Sequence, residues 1–112
     1  MKLIGSKAER EFREELINSN VSLNTDGKRL NYILKNAGYD VSNSYVLNYI
    51  PEQCEDIYVL LISGSYVLHV EVDKFDSQVE PAFERVELND YLHSLSKIHQ
   101  IQMAVAMDLV KT

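Results

Sequence analysis

The residues best placed for chemistry are an acid before one strand-like run and an acid–lysine cluster at the end of the next. Asp56 precedes the apolar run from Ile57, and Glu71-Val72-Asp73-Lys74 closes the alternating run that follows. Carboxylates and a lysine gathered on one strand face could hold a divalent metal and serve phosphodiester cleavage. The spacing works against that use. The position two before Lys74 is Val72, and Asp73, directly before the lysine, points to the opposite face of a strand. The histidines offer less: His93 and His99 are six apart, a poor spacing for one helix face, and His69 beside Glu71 supplies two ligands at most. Cys54 is the single cysteine, so it forms no internal disulfide and no cysteine-rich zinc site. Without a motif that pairs it with a base, it is expected to be a small buried or half-buried apolar residue. No phosphate loop, GxGxxG or GxSxG occurs. The expectation is a protein with no catalytic set, no metal and no cofactor.

The elements that position these residues can be read from periodicity. Ser6 and Glu9 form a capping box before a helix over Lys7–Asn20, with Ala8, Phe12 and Leu16 on one stripe. A second helix runs over Asp26–Ala37, with Thr25 as N-cap and Gly38 closing its end. Tyr39–Ile50 then turns β-branched and aromatic, one strand with an irregular start that stops at Pro51. The clearest signal is a hairpin. Ile57–Ser63 is apolar on both faces, Gly64-Ser65 reads as a type II′ turn, and Tyr66–Asp73 alternates. On that return strand Tyr66, Leu68, Val70 and Val72 face a core, and Val67, His69, Glu71 and Asp73 face water. Phe83–Leu88 forms a fourth strand, with Val86 and Leu88 inward and Arg85 and Glu87 outward. Asn89 or Asp90 caps a short helical turn, and Ser96–Lys111 is a deeply packed last helix in which Ile101 and Val105 belong to the core. The fold expected is one α+β domain over residues 1–112: two N-terminal helices, an antiparallel meander of about four strands and a packed C-terminal helix.

The chain has 112 residues, 46% hydrophobic and 25% charged, which suits one folded core and is too small for separate substrate and cofactor domains. Its net charge of −6 makes nucleic acid a poor partner, because phosphate neutralisation needs clustered cations. Met1–Ser6 carries Lys2 but no apolar core of a secretion signal, and the longest apolar run, Ile57–Ile62, is too short to span a membrane. With no disulfide framework, a cytoplasmic protein with no membrane partner is expected. The charge is unevenly placed. Residues 51–90 hold ten acids against Lys74 and Arg85, while residues 1–50 carry seven bases and six acids. Glu71 and Asp73 share one face of the return strand, and Asp76, Glu80, Glu84 and Glu87 follow beside it. These six form the candidate docking surface for a basic protein partner. The oligomeric state is not fixed by these features.

The stretches Lys2-Leu3-Ile4-Gly5-Ser6-Lys7, Pro51-Glu52-Gln53-Cys54-Glu55-Asp56-Ile57-Tyr58, His69-Val70-Glu71-Val72-Asp73 and Leu95-Ser96-Lys97-Ile98, with the chain's size and architecture, resemble the small bacterial immunity proteins of contact-dependent or polymorphic toxin systems. That resemblance implies a non-enzymatic, one-to-one inhibitor of a cognate toxin domain, often a nuclease with a basic cleft. The alternative is that the Asp56 and Glu71–Lys74 arrangement is similar to the PD-(D/E)xK nucleases, which implies a divergent metal-dependent nuclease.

Overall fold

The computed structural model describes residues 3–111; Lys2, counted above among the bases, lies outside them. In chain order the elements are α1 (Lys7–Leu23), α2 (Arg29–Asn36), β1 (Tyr45–Pro51), β2 (Glu55–Ile62), β3 (Tyr66–Asp73), β4 (Ala82–Glu87), α3 (Leu88–His93) and α4 (Lys97–Lys111). The strands form one antiparallel sheet in the order β1-β2-β3-β4. The α+β class and the meander are as the sequence implied. Among the described residues, no helix is long and apolar enough to cross a membrane.

Local chemistry sets the helix ends. The Glu9 carboxylate accepts from the backbone N–H groups of Ile4, Gly5 and Ser6 and from Ser6 Oγ, while Ser6 Oγ accepts from Glu9 N. This completes the capping box and orders the chain entering α1. Helix α1 continues to Leu23 because side chains tie its end to the segment leading into β1 and to α2. Asn20 Nδ2 donates to the carbonyls of Ser42 and Ser44, Asn24 Nδ2 to that of Val41, and buried Asn31 to that of Leu23. Thr25 does not cap the second helix, which starts at Arg29 after Lys28. Thr25 Oγ1 instead donates back to the Val21 carbonyl and belongs to the end of α1. Gly38, with φ of 89°, closes α2 as expected: its N–H reaches the Lys35 carbonyl and that of Tyr39 reaches Leu34.

Each sheet face has its own core. On one, Leu60, Ile62, Leu68, Val70 and Val72 pack with Ile33 and Leu34 of α2 and with Leu23. On the other, Tyr45, Leu47, Val59, Leu61 and Val67 pack with Leu16 of α1 and with Met103, Val105, Ala106 and Leu109 of α4. Leu60, Leu61, Val67, Leu68 and Val70 have no exposed surface, and burying each contributes about 1.5–3 kcal/mol. Strand β3 thus departs from the expected division into one core face and one wet face. Val67 is fully buried beneath the α4 layer, and open surface begins only beyond half-buried His69. In α4, Val105 is core but Ile101 is only half-buried.

Strand β1 carries an irregularity in register between Val46 and Asn48. Leu47 is the extra residue, and its carbonyl accepts from buried Gln102 Nε2 at 2.8 Å, so the interrupted ladder leaves no orphan there. The hairpin loop is one residue longer than its sequence suggests and begins at Ser63. Ser65 N donates to the Ile62 carbonyl, and the central residues Ser63 and Gly64 both have positive φ, 51° and 70°, the signature of a type I′ turn. Ile62 then pairs with Tyr66. A Cβ on Gly64 would lie 2.7 Å from Val110 Cγ1 of α4, so this position needs glycine for backbone and for packing.

Gly64→Ala is therefore expected to destabilise the fold by about 1–3 kcal/mol, read as a lower midpoint of urea denaturation with an unchanged slope. The Glu9 carboxyl is held at about 2, below its ordinary 4.5, chiefly by the Ser6 N–H and hydroxyl. A lowered folded pKa stabilises the fold above the unfolded value, and that contribution is lost as pH falls from 4.5 towards 2. Glu9→Gln should make the acid-induced fall in melting temperature shallower in that window and lower it at pH 7.

Candidate functional site

Helix α4 covers the sheet only over the β1 side and the first half of β3. Its far half is uncovered on that face. Antiparallel register places Glu55 opposite Asp73, Ile57 opposite Glu71 and Val59 opposite His69; on the other side Glu71 meets Ala82 and His69 meets Glu84. Ile50 lies opposite Ile57 on β1. Partners across a ladder share a face. Glu55, Glu71, Asp73 and Glu84 therefore surround Ile50, Ile57 and Ala82 on one sheet surface. Glu71, Glu84, Ala82 and Ile50 are exposed, and Glu55, Ile57 and Asp73 half-buried. Among the described residues, Glu55, Glu71 and Glu84 form no ion pair. His69 marks the boundary with the helix-covered half, and its Nε2 is buried without a hydrogen-bond partner.

The six sequence candidates divide three ways. Glu71 and Glu84 lie on the uncovered face, on the adjacent strands β3 and β4. Asp73 shares that face, but its Oδ1 accepts from the backbone N–H groups of Asp76, at 2.7 Å, and Phe75, at 2.9 Å. These bonds, with Arg29 nearby, hold its carboxyl below the usual carboxylate range. Asp73 is thus committed to the β3–β4 turn. Asp76 and Glu80 are exposed in that loop, and Asp76 Oδ1 accepts from Gln78 N. Glu87 pairs across the ladder with Tyr66 and so faces the α2 side, where it meets Arg85 at 3.5 Å. Arg85 in turn lies 3.9 Å over the Tyr66 ring. Glu55, which the sequence reading left out of the site, belongs to it. The signal was the hairpin register: with three residues, Ser63–Ser65, between paired Ile62 and Tyr66, Glu55 rather than Asp56 falls opposite Asp73.

The nuclease-like residues separate as their parity requires. Asp56 faces the α2 side, 3.6 Å from Lys74 Nζ, and accepts from Tyr49 Oη at 2.8 Å. Tyr49 stacks on Tyr58 at 5.0 Å. Between Asp56 and Lys74 the face is supplied by buried Val72, while Glu71 and Asp73 point away from it. Asp56 there serves as the counter-ion of a half-buried lysine. Among the described residues, no three His, Cys, Asp or Glu side chains gather as a metal site needs. Cys54 is exposed, contrary to its expected burial. It sits in the turn between β1 and β2, where its carbonyl accepts from Lys74 N at 3.0 Å, and a turn on the surface gives its side chain nothing to pack against.

Two neighbouring acids thus have different tasks, and mutation separates them. Asp73→Ala should lower the melting temperature and speed amide exchange at Phe75 and Asp76, because two N–H groups lose their acceptor. Glu71→Ala should leave both unchanged.

The sequence matches no protein-family model, and no curated protein or solved structure shows a significant likeness to the chain.

Proposed function

We propose that the protein is a small inhibitor of the immunity type, which binds a basic toxin domain through the uncovered half of its β2–β3–β4 face and neutralises it. The observation that carries this reading is the unpaired charge: Glu55, Glu71 and Glu84 are fixed on strands around an apolar centre of Ile50, Ile57 and Ala82, without a cation among the described residues to offset them. Glu55 stands directly opposite Asp73, a like-charge pairing that weakens a sheet. A partner rich in lysine and arginine relieves that repulsion and gains apolar contact at the same surface. Strands hold the carboxylates in place before binding, which limits the ordering cost of association.

A nuclease cleft suits this surface because it is positive in order to hold a polyanion. Opposed fields raise the rate of encounter by roughly 10–10³-fold, and fast capture matters when a few free toxin molecules damage a cell. The cytoplasm is where such an inhibitor would act. The nuclease alternative receives less support, since Val72 stands where the second metal carboxylate is needed on the Asp56–Lys74 face.

The test pairs this protein with the basic C-terminal domain of a secreted protein encoded beside its gene. The parent protein should form a one-to-one complex and abolish the toxin's activity. Glu55→Lys with Glu71→Lys sets cations against the partner and should weaken binding by several kcal/mol. The variant should stay folded, because Glu55→Lys replaces repulsion against Asp73 with attraction. Undiminished inhibition by the folded double variant would contradict the proposed surface.

A further inference from the structure

The two edges of the sheet are treated differently. The β1 edge is covered at its start by α1: Ser19 Oγ accepts from Val46 N at 3.0 Å, and Asn20 Nδ2 donates to the Ser44 carbonyl at 2.9 Å. Strand β4 is the other edge, and among the described residues no strand pairs beyond it. Helix α3 leaves its end but turns under the sheet, where Leu88, Tyr91 and Leu95 join the α4 core, so it does not run along the edge. The open edge is six residues long, about 20 Å, between Pro81 and the start of α3. Every second residue of an edge strand turns its N–H and C=O away from the sheet. The opposite side of β4 is paired to β3 over its whole length in unbroken register, so the edge is rigid.

We propose that β4 is a docking edge, to which an extended basic segment of the partner adds as a fifth strand. This deepens the inhibitor reading above and rests on it. Charge decides the occupant. Glu84 projects on one face of the edge and Glu87 on the other, with Glu80 just before the strand. The one cation within β4, Arg85, is already held by Tyr66 and Glu87. A segment with lysine or arginine at alternate positions meets Glu84 while its backbone completes the ladder. Between those cations, on the opposite face, an apolar residue meets half-buried Phe83. A second copy of this chain fits poorly, because it brings another net charge of −6 and another Glu84-bearing edge.

The probe is a capped eight-residue peptide that alternates lysine and valine, compared with the same peptide N-methylated at alternate residues. The second keeps the charge but cannot form a ladder. With the intact protein, the unmethylated peptide should bind at least about tenfold more tightly than the methylated one. It should slow amide exchange within residues 82–87, and Glu84→Lys should weaken it. Equal binding of the two peptides, protection confined to another surface, or binding by neither overturns strand addition. The two proposals fail separately. Equal peptide binding beside a toxin complex that Glu55→Lys with Glu71→Lys disrupts removes the fifth strand alone. A toxin complex indifferent to that double change removes the acidic face, whatever the peptides do.

Discussion

Two sheet faces must be covered, and the chain has too little helix to cover both. Helix α4, with 15 residues, spans about 22 Å. It is also drawn sideways: Arg13 of α1 meets Asp108 of α4 at 2.8 Å, and Leu16 joins the α4 core. Because α1 packs against the start of β1, α4 settles over the β1 side. The far half of one face and the edge at β4 are what this arrangement leaves open. Both proposed contact surfaces follow from that one shortfall of cover.

The acids between residues 51 and 90 are therefore not one feature. Asp56 neutralises Lys74, Asp73 holds the β3–β4 turn, and Glu87 pairs with Arg85. These carboxylates serve the fold. Glu55, Glu71 and Glu84 serve no such interaction and share a surface that helices leave bare. Repulsion among them, held on a rigid sheet, weakens the free protein slightly and favours a complex in which cations approach them. A functional surface recognised in this way is defined by what the fold does not use.

Much of this was readable from residue order. The capping box at Ser6 and Glu9, the stop at Gly38 and the span of β3 over Tyr66–Asp73 each have a local cause, and each appears where expected. The hairpin loop is one residue longer than Gly64-Ser65 suggests, because Ser63, like glycine, can take positive φ when the strands' twist favours it. That shift changed which acid opposes Asp73. The burial of Val67 depends on where α4 lies, which no local pattern contains. The Leu47 irregularity is hidden because Tyr45-Val46-Leu47 is apolar on both faces and carries no parity. The opposition of Glu84 and Glu87 was available from their spacing of three on one strand. The double duty of Asp73 was not, since its bonds depend on the path of the following loop.

The central claim is that Glu55, Glu71 and Glu84 are held unpaired for a basic partner. It is tested most directly by the association rate constant with the basic toxin domain, measured from about 20 mM to about 500 mM salt. The account predicts a fall of at least about tenfold as screening removes the attraction between opposed fields, with a much smaller change in dissociation. An association rate that stays level across that range would contradict it and leave the acidic face a solvated surface.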